Sequence, residues 1–168
     1  MVARCIALAC LALGMTVSAF AQSIPPAHAE MQTGWVGFVD EAMIDHAAFG
    51  GAARLYLTPR VAVGPEIAYL RGPGSDRDLM ITGNLTFDVL GPRNGHPRRI
   101  TPFFTVGGGY ERHSDRFGST TFSSSEGALT GGGGVRIWIT DRMFGTIETR
   151  IGWEPHLRVT GGIGVALR

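Results

Sequence analysis

The chain has 168 residues, one domain's worth, with fifteen basic against fourteen acidic residues and a formal charge of +1. Every basic residue is Arg, so neither a Gly-Lys-Ser/Thr phosphate loop nor a basic nucleic-acid surface fits the composition, and no nucleic-acid partner is expected. Both cysteines, Cys5 and Cys10, fall in the first ten residues, which leaves the rest without a disulfide, a zinc thiolate or a thiol nucleophile.

Residues 1–21 read as a cleaved signal peptide. Met1 to Arg4 supply a positive start, CIALACLALGMTVSAF an apolar stretch, and Ala19-Phe20-Ala21 a small-x-small cleavage pattern that makes Gln22 the first mature residue. The run is short for a spanning helix and passes into polar, Pro-containing QSIPPAHAE. Ala7-Leu8-Ala9-Cys10 is a weak lipobox that leaves almost no positive segment before it. Residues 22–32 are expected to form a periplasmic tail, and 33–168 the folded domain.

From there period two dominates. The alternation predicts eight strands: Thr33 to Asp40, Phe49 to Leu57, Val61 to Leu70, Asp78 to Val89, Ile100 to Glu111, Ser125 to Ile139, Met143 to Gly152 and Leu157 to Leu167. LTPRV, GPRNGHPRR and TDRM connect them at one end. EAMIDHAA, RGPGSDR, RHSDRFGSTTFSS and EPH connect them at the other. Such short links make consecutive strands antiparallel neighbours, and eight strands are the smallest common closed barrel. The expected fold is all-β: an eight-stranded antiparallel up-and-down transmembrane β-barrel.

Each strand has an apolar and a more polar face. Val61, Val63, Ile67 and Tyr69 oppose Ala62, Glu66 and Ala68; Ile147 and Ile151 oppose Glu148 and Arg150. A soluble lipocalin-like barrel would keep the apolar face inside, and an outer-membrane barrel keeps it outside. Three features favour the second. The polar face is mostly Gly, Ala and Thr, which suits a narrow filled interior. Its charges nearly cancel, Arg54, Arg136, Arg150 and Arg158 against Glu66, Asp88, Glu111 and Glu148, as a buried lumen network requires. Phe49, Tyr69, Tyr110 and Trp153 lie in the apolar register near the longer loops, where an aromatic girdle would meet a membrane interface. Trp35, in a segment of ambiguous register, is a candidate for the opposite girdle.

With TPFFTVGGGYER, ALTGGGGVRIWIT and VTGGIGVALR, the sequence resembles the small Gram-negative outer-membrane barrels of the OmpA transmembrane-domain and OmpX type. The resemblance implies cell outer membrane localisation, contact with outer-membrane lipid and lipopolysaccharide, and folding by the barrel-assembly machinery, with a monomeric barrel expected. It departs in ending on Leu167-Arg168, where this class usually carries a terminal aromatic residue, and it implies no peptidoglycan-binding domain.

Some such barrels modify lipid A. His113-Ser114-Asp115 holds the residue types of a hydrolase triad, but sequence neighbours do not line up as nucleophile, base and orienter, and the spacing differs from the lipid A deacylase pattern. His28, His46, His96 and His156 show no spacing that brings two together, so no metal site, cofactor or catalytic residue is expected. The leading reading is a structural or surface-interaction protein, with residues 112–124 the main exposed loop. The alternatives are a soluble periplasmic barrel that binds an apolar small molecule and an outer-membrane lipid-modifying enzyme.

Overall fold

A computed structural model describes residues 27–39, 43–117, 120–153 and 155–167; the expected signal peptide lies outside them. Eight strands run in chain order: β1 (Ala27–Val39), β2 (Met43–Tyr56), β3 (Val61–Arg71), β4 (Arg77–Asp88), β5 (Ile100–Phe117), β6 (Thr120–Trp138), β7 (Met143–Gly152) and β8 (His156–Leu167). Each pairs antiparallel with the next, and β1 pairs with β8 to close the barrel.

Four boundaries differ from the sequence reading by more than one residue. β1 begins at Ala27, so residues 27–32 are barrel wall and not tail. Their alternation was hidden because the inward residues are His28, Glu30 and Gln32, which look like a solvated leader. β2 starts at Met43 within the expected loop EAMIDHAA. β5 and β6 continue to Phe117 and from Thr120, so most of RHSDRFGSTTFSS is a two-stranded hairpin of mainly polar residues, held by backbone pairing where no apolar alternation marks it.

At the turn end, the β2–β3 and β6–β7 connections share one construction. Thr58 Oγ1 accepts from the Val61 amide and Thr140 Oγ1 from the Met143 amide, both at 3.0 Å. In the β4–β5 connector, Asn94 and Gly95 have φ of 52° and 78°, the Asn-Gly pair that a tight hairpin favours, and Arg93 bridges to His96.

The pairing fixes the barrel's shape. From Pro102, successive partners are Val135, Ile147, Gly161, Thr33, Phe49, Tyr69 and Leu79, and the circuit returns to β5 at Arg112, ten residues on. Ten residues at about 3.3 Å, spread over eight spacings of about 4.8 Å, tilt the strands by roughly 40°. On that geometry Phe49, Tyr69, Tyr110, Trp153 and also Trp35 lie within about 6 Å of one height, close to the loop end. Trp35 therefore joins the same ring and not an opposite one. Phe87 and Phe104, paired and facing outward, sit toward the turn end instead.

The two faces are inverted relative to a water-soluble protein. Among the described residues, 22 buried ones are polar or charged and 11 are hydrophobic, while Ile147, Ile151 and Ile163 are 59–67% exposed on the outside. A soluble apolar-ligand barrel needs the opposite arrangement.

Inside, the filling is layered. At the turn end, Trp138, Phe144 and Ala166 cluster, with Trp138 and Phe144 5.0 Å apart and both rings against His28. The middle is ionic. Toward the loop end comes an apolar layer of Val36, Ala48, Ala68, Leu70, Met80 and Ala128, on which Phe38 packs. Above it the barrel opens into a polar mouth.

Candidate functional site: the ionic lumen and the barrel mouth

The strand alternation that points isoleucines outward points the charged side chains at one another. Arg150 donates through Nε to Glu148 and through Nη2 to Glu66, each at 2.7 Å, and through Nη1 to Asn84 Oδ1 at 3.0 Å. Arg158 donates to the other oxygen of Glu66. Arg54 pairs with Glu30 and lies 4.0 Å from Glu148. Nearer the turn end, Arg136 donates to both oxygens of Asp88 at 3.1 Å and stacks over Phe103 and Phe144 at 5.0 and 5.3 Å, while the Tyr56 hydroxyl donates to Asp88 at 2.8 Å.

Seven of the eight charged residues expected in the lumen meet here. The eighth, Glu111, is buried higher up, in the wall of the mouth. Glu30 stands in the network as Arg54's carboxylate, and sequence reasoning missed it by assigning residues 22–32 to a tail. The signal was the His28, Glu30, Gln32 alternation against Ala29 and Met31. These ions are 0–8% exposed, so each must be paired to be tolerated.

The mouth is a vestibule of about 430 Å³ whose lining includes His46, Asp76, Asp78, Glu111, His113 and Glu126. His46 Nε2 lies 2.9 Å from Asp76 Oδ2 and 3.3 Å from Asp78 Oδ2, and its Nδ1 is 3.3 Å from the Ile44 carbonyl oxygen. His113 Nδ1 approaches the same carboxylates from the other side, 2.6 Å from Asp78 Oδ1 and 3.5 Å from Asp76 Oδ1. Asp76 is set by a tight β3–β4 turn in which its carbonyl accepts from Gly72 and its amide donates to Pro73. The two histidines belong to β2 and β5, which are not neighbours, and it is Asp76 and Asp78 between them that bring them together.

These groups stand above the aromatic ring. Burial holds the Asp78 carboxyl above its usual range, against the opposing hydrogen bond from His113, and the charge of Asp76 adds to the rise. Burial also disfavours a charged His113, but the hydrogen bond to Asp78 and the charges of Asp78, Asp76 and Asp115 outweigh it and raise the imidazole. Asp115 is lowered by the hydrogen bond from Ser75, at 2.7 Å. His113 therefore turns to Asp78 and Asp115 to Ser75, and with Ser114 in the opposite strand register the three consecutive residues do not converge.

No protein-family model matches the sequence, and no curated protein matches it either. Solved structures do match in shape. Neisserial surface protein A superposes with a TM-score of 0.73 over 84% of this chain and 97% of that one, at 9% identity. The N-terminal β-barrel domain of Pseudomonas aeruginosa OprF gives 0.63 over 86% and 98%, at 12% identity. Ail, the attachment invasion locus protein of Yersinia pestis, gives 0.55 over 83% and 93%, also at 12%. At such identities the likeness is one of architecture, and the chain has the fold of the small eight-stranded outer-membrane barrels.

Proposed function

We propose that this chain is an outer-membrane β-barrel protein with a structural or surface-interaction role and no catalysis. The observation that carries the reading is the inverted surface: a belt of outward Ile, Leu, Val and Phe, bounded toward the loop end by aromatic residues, around a self-paired ionic interior. At the tilt derived above, the belt is about 25 Å tall, the thickness such barrels present to lipid. The loop end then faces outward and the turn end the periplasm.

Lipid and lipopolysaccharide are the partners this surface suits. Arg71 and Arg112 occupy exposed positions just beyond Tyr69 and Tyr110, at the depth of headgroup phosphates. Closure leaves no unpaired edge strand, which supports a monomer, and insertion by the barrel-assembly machinery is part of the same reading. A surface-interaction role is in keeping with the architecture shared with the attachment invasion locus protein, and it places recognition at the mouth and on the long β5–β6 hairpin.

The test compares Ile147→Arg, midway along β7, with Ile139→Arg at the turn-end rim, each refolded with lipid vesicles and scored by heat-modifiable gel mobility. A midplane Arg costs about 2–4 kcal/mol and one near the interface about 0–1, so only Ile147→Arg should lose inserted barrel. A chain that folds as a monomer in water, without lipid or detergent, refutes the reading.

A further inference from the structure

The lumen's ions are committed to one another, whereas the mouth gathers carboxylates and imidazoles in the open. Asp76, Asp78, Glu111 and Glu126 line the vestibule with two imidazoles, and no Arg is among its described lining residues. Asp76 and Asp78 are shared by the two imidazoles in a concavity flanked by Phe38, Val39 and Ile44.

The orientation of His46 sharpens the point. A carbonyl oxygen can only accept, so in the tautomer with hydrogen on Nδ1 the ring donates to the Ile44 carbonyl, 3.3 Å away, and in the other tautomer Nε2 donates to Asp76 Oδ2 at 2.9 Å. With hydrogen on Nδ1, Nε2 presents a bare lone pair to two carboxylate oxygens at 2.9 and 3.3 Å. In that tautomer the three acceptors require a positive charge between them, either a proton that makes the ring an imidazolium or a metal ion. A ring nitrogen donating to a backbone carbonyl while its partner faces carboxylates is also how proteins set a histidine for metal ligation.

The spacing suits a metal. With bonds of about 2.0–2.1 Å, a tetrahedral zinc site has donor–donor edges of about 3.3 Å, and the observed edges are 2.9 and 3.3 Å. The donor atoms of His46, Asp76 and Asp78 all lie within 4.8 Å of one another. The site also depends on a bare backbone beside it: a Cβ on Gly72 would fall 2.4 Å from Asp76 Oδ2 and 2.5 Å from His46 Nε2.

We propose that the barrel mouth binds one divalent transition-metal ion of the zinc class through His46 Nε2 and a carboxylate oxygen from each of Asp76 and Asp78. Water from the vestibule completes the coordination. His113 acts as a positioning residue, since it holds Oδ1 of Asp78 while Oδ2 faces His46. The imidazole ligand favours a transition metal over calcium or magnesium, which prefer all-oxygen shells. Bound there, the ion ties β2 to the β3–β4 turn and, through His113, to the base of the long hairpin, so it fixes the shape of the outer rim.

The test uses the full chain refolded in detergent micelles and titrated with Co²⁺, a spectroscopic stand-in for Zn²⁺, with Zn²⁺ then added in competition. One equivalent of Co²⁺ is expected to give visible ligand-field absorption that Zn²⁺ abolishes. His46→Gln should lose it, and Asp76→Asn and Gly72→Ala should weaken binding at least about tenfold. His113→Gln should weaken it by about 10–100-fold, as loss of a ligand's orienting partner does. His96→Gln, at the turn end, should change nothing. Heat-modifiable mobility reports folding, and Asp76→Asn and Gly72→Ala, both on the exposed turn, serve should His46→Gln fail to fold. The proposal is overturned if the folded parent shows no saturable binding below a concentration on the order of 1 mM, the affinity of a merely exposed acidic cluster. It is equally overturned if binding survives both His46→Gln and Asp76→Asn; His46 is then simply an imidazolium paired with its carboxylates.

Discussion

Glu66→Gln is the sharpest probe of whether the lumen is sealed. Glu66 is 2% exposed, and its two oxygens receive Arg150 and Arg158 separately. The amide keeps the shape but removes the charge. Arg150 retains Glu148 at 2.7 Å, whereas Arg158 loses the carboxylate it binds, and the interior is left with an uncompensated positive charge. Removing one partner of a buried pair costs about 3–5 kcal/mol, a large part of a typical stability of about 5–15. Urea unfolding from lipid vesicles, followed by tryptophan emission, should show a lower midpoint at unchanged slope. Adding Arg158→Gln should restore much of the loss, because the charge is then balanced again. A single-variant cost below about 1 kcal/mol, the worth of a solvated pair, would mean that water fills the lumen and would refute the sealed interior.

Neighbouring glycines should behave oppositely. A Cβ on outward Gly131 meets nothing within 4 Å, while one on inward Gly132 lies 2.1 Å from the Thr149 carbonyl oxygen, so Gly131→Ala should be nearly silent and Gly132→Ala should cost about 1–3 kcal/mol in the same unfolding assay. Phe144→Ala removes a ring 1% exposed that packs on Trp138 and carries Arg136, and a loss of about 3–5 kcal/mol is expected. In planar bilayers the parent should show no resolved single-channel steps, since the apolar layer at Leu70 and Met80 and the ionic layer beneath it leave no continuous water path; steady conductance would contradict that filling.

The fold was legible because it is written at period two in β3, β4, β7 and β8, where Ile, Leu and Val alternate with Thr, Ala and single charges, and the structure places those strands within one residue of their expected limits. It was illegible where the alternation loses its apolar half. In β1 the outward residues Ala29 and Thr33 are too slight to mark a face, and Glu30 vanished from the charge tally with them. In the upper β5–β6 hairpin both faces meet water, so pairing alone defines the strands. The mouth cluster was hidden for a different reason. His46 and His113 are 67 positions apart on strands that do not touch, and only the register of β4, which sets Asp78 opposite His113, brings them to shared carboxylates.

The layering bears on where interaction can reside. Below Leu70 and Met80 the inward charges are committed to one another, and altering one exposes its partner, so this region has little latitude to acquire a ligand without losing the barrel. The outward belt is fixed by its chemistry to apolar surroundings. What remains is the rim, where the strands run on past the aromatic ring and carry side chains that neither the lumen nor the belt constrains. There the same rigid pairing that closes the barrel holds His46 and His113 each within reach of Asp76 and Asp78 in an open vestibule. A site on strand ends and one tight turn keeps its geometry when loops vary, which gives the mouth, and not the lumen, the latitude to carry the proposed ion.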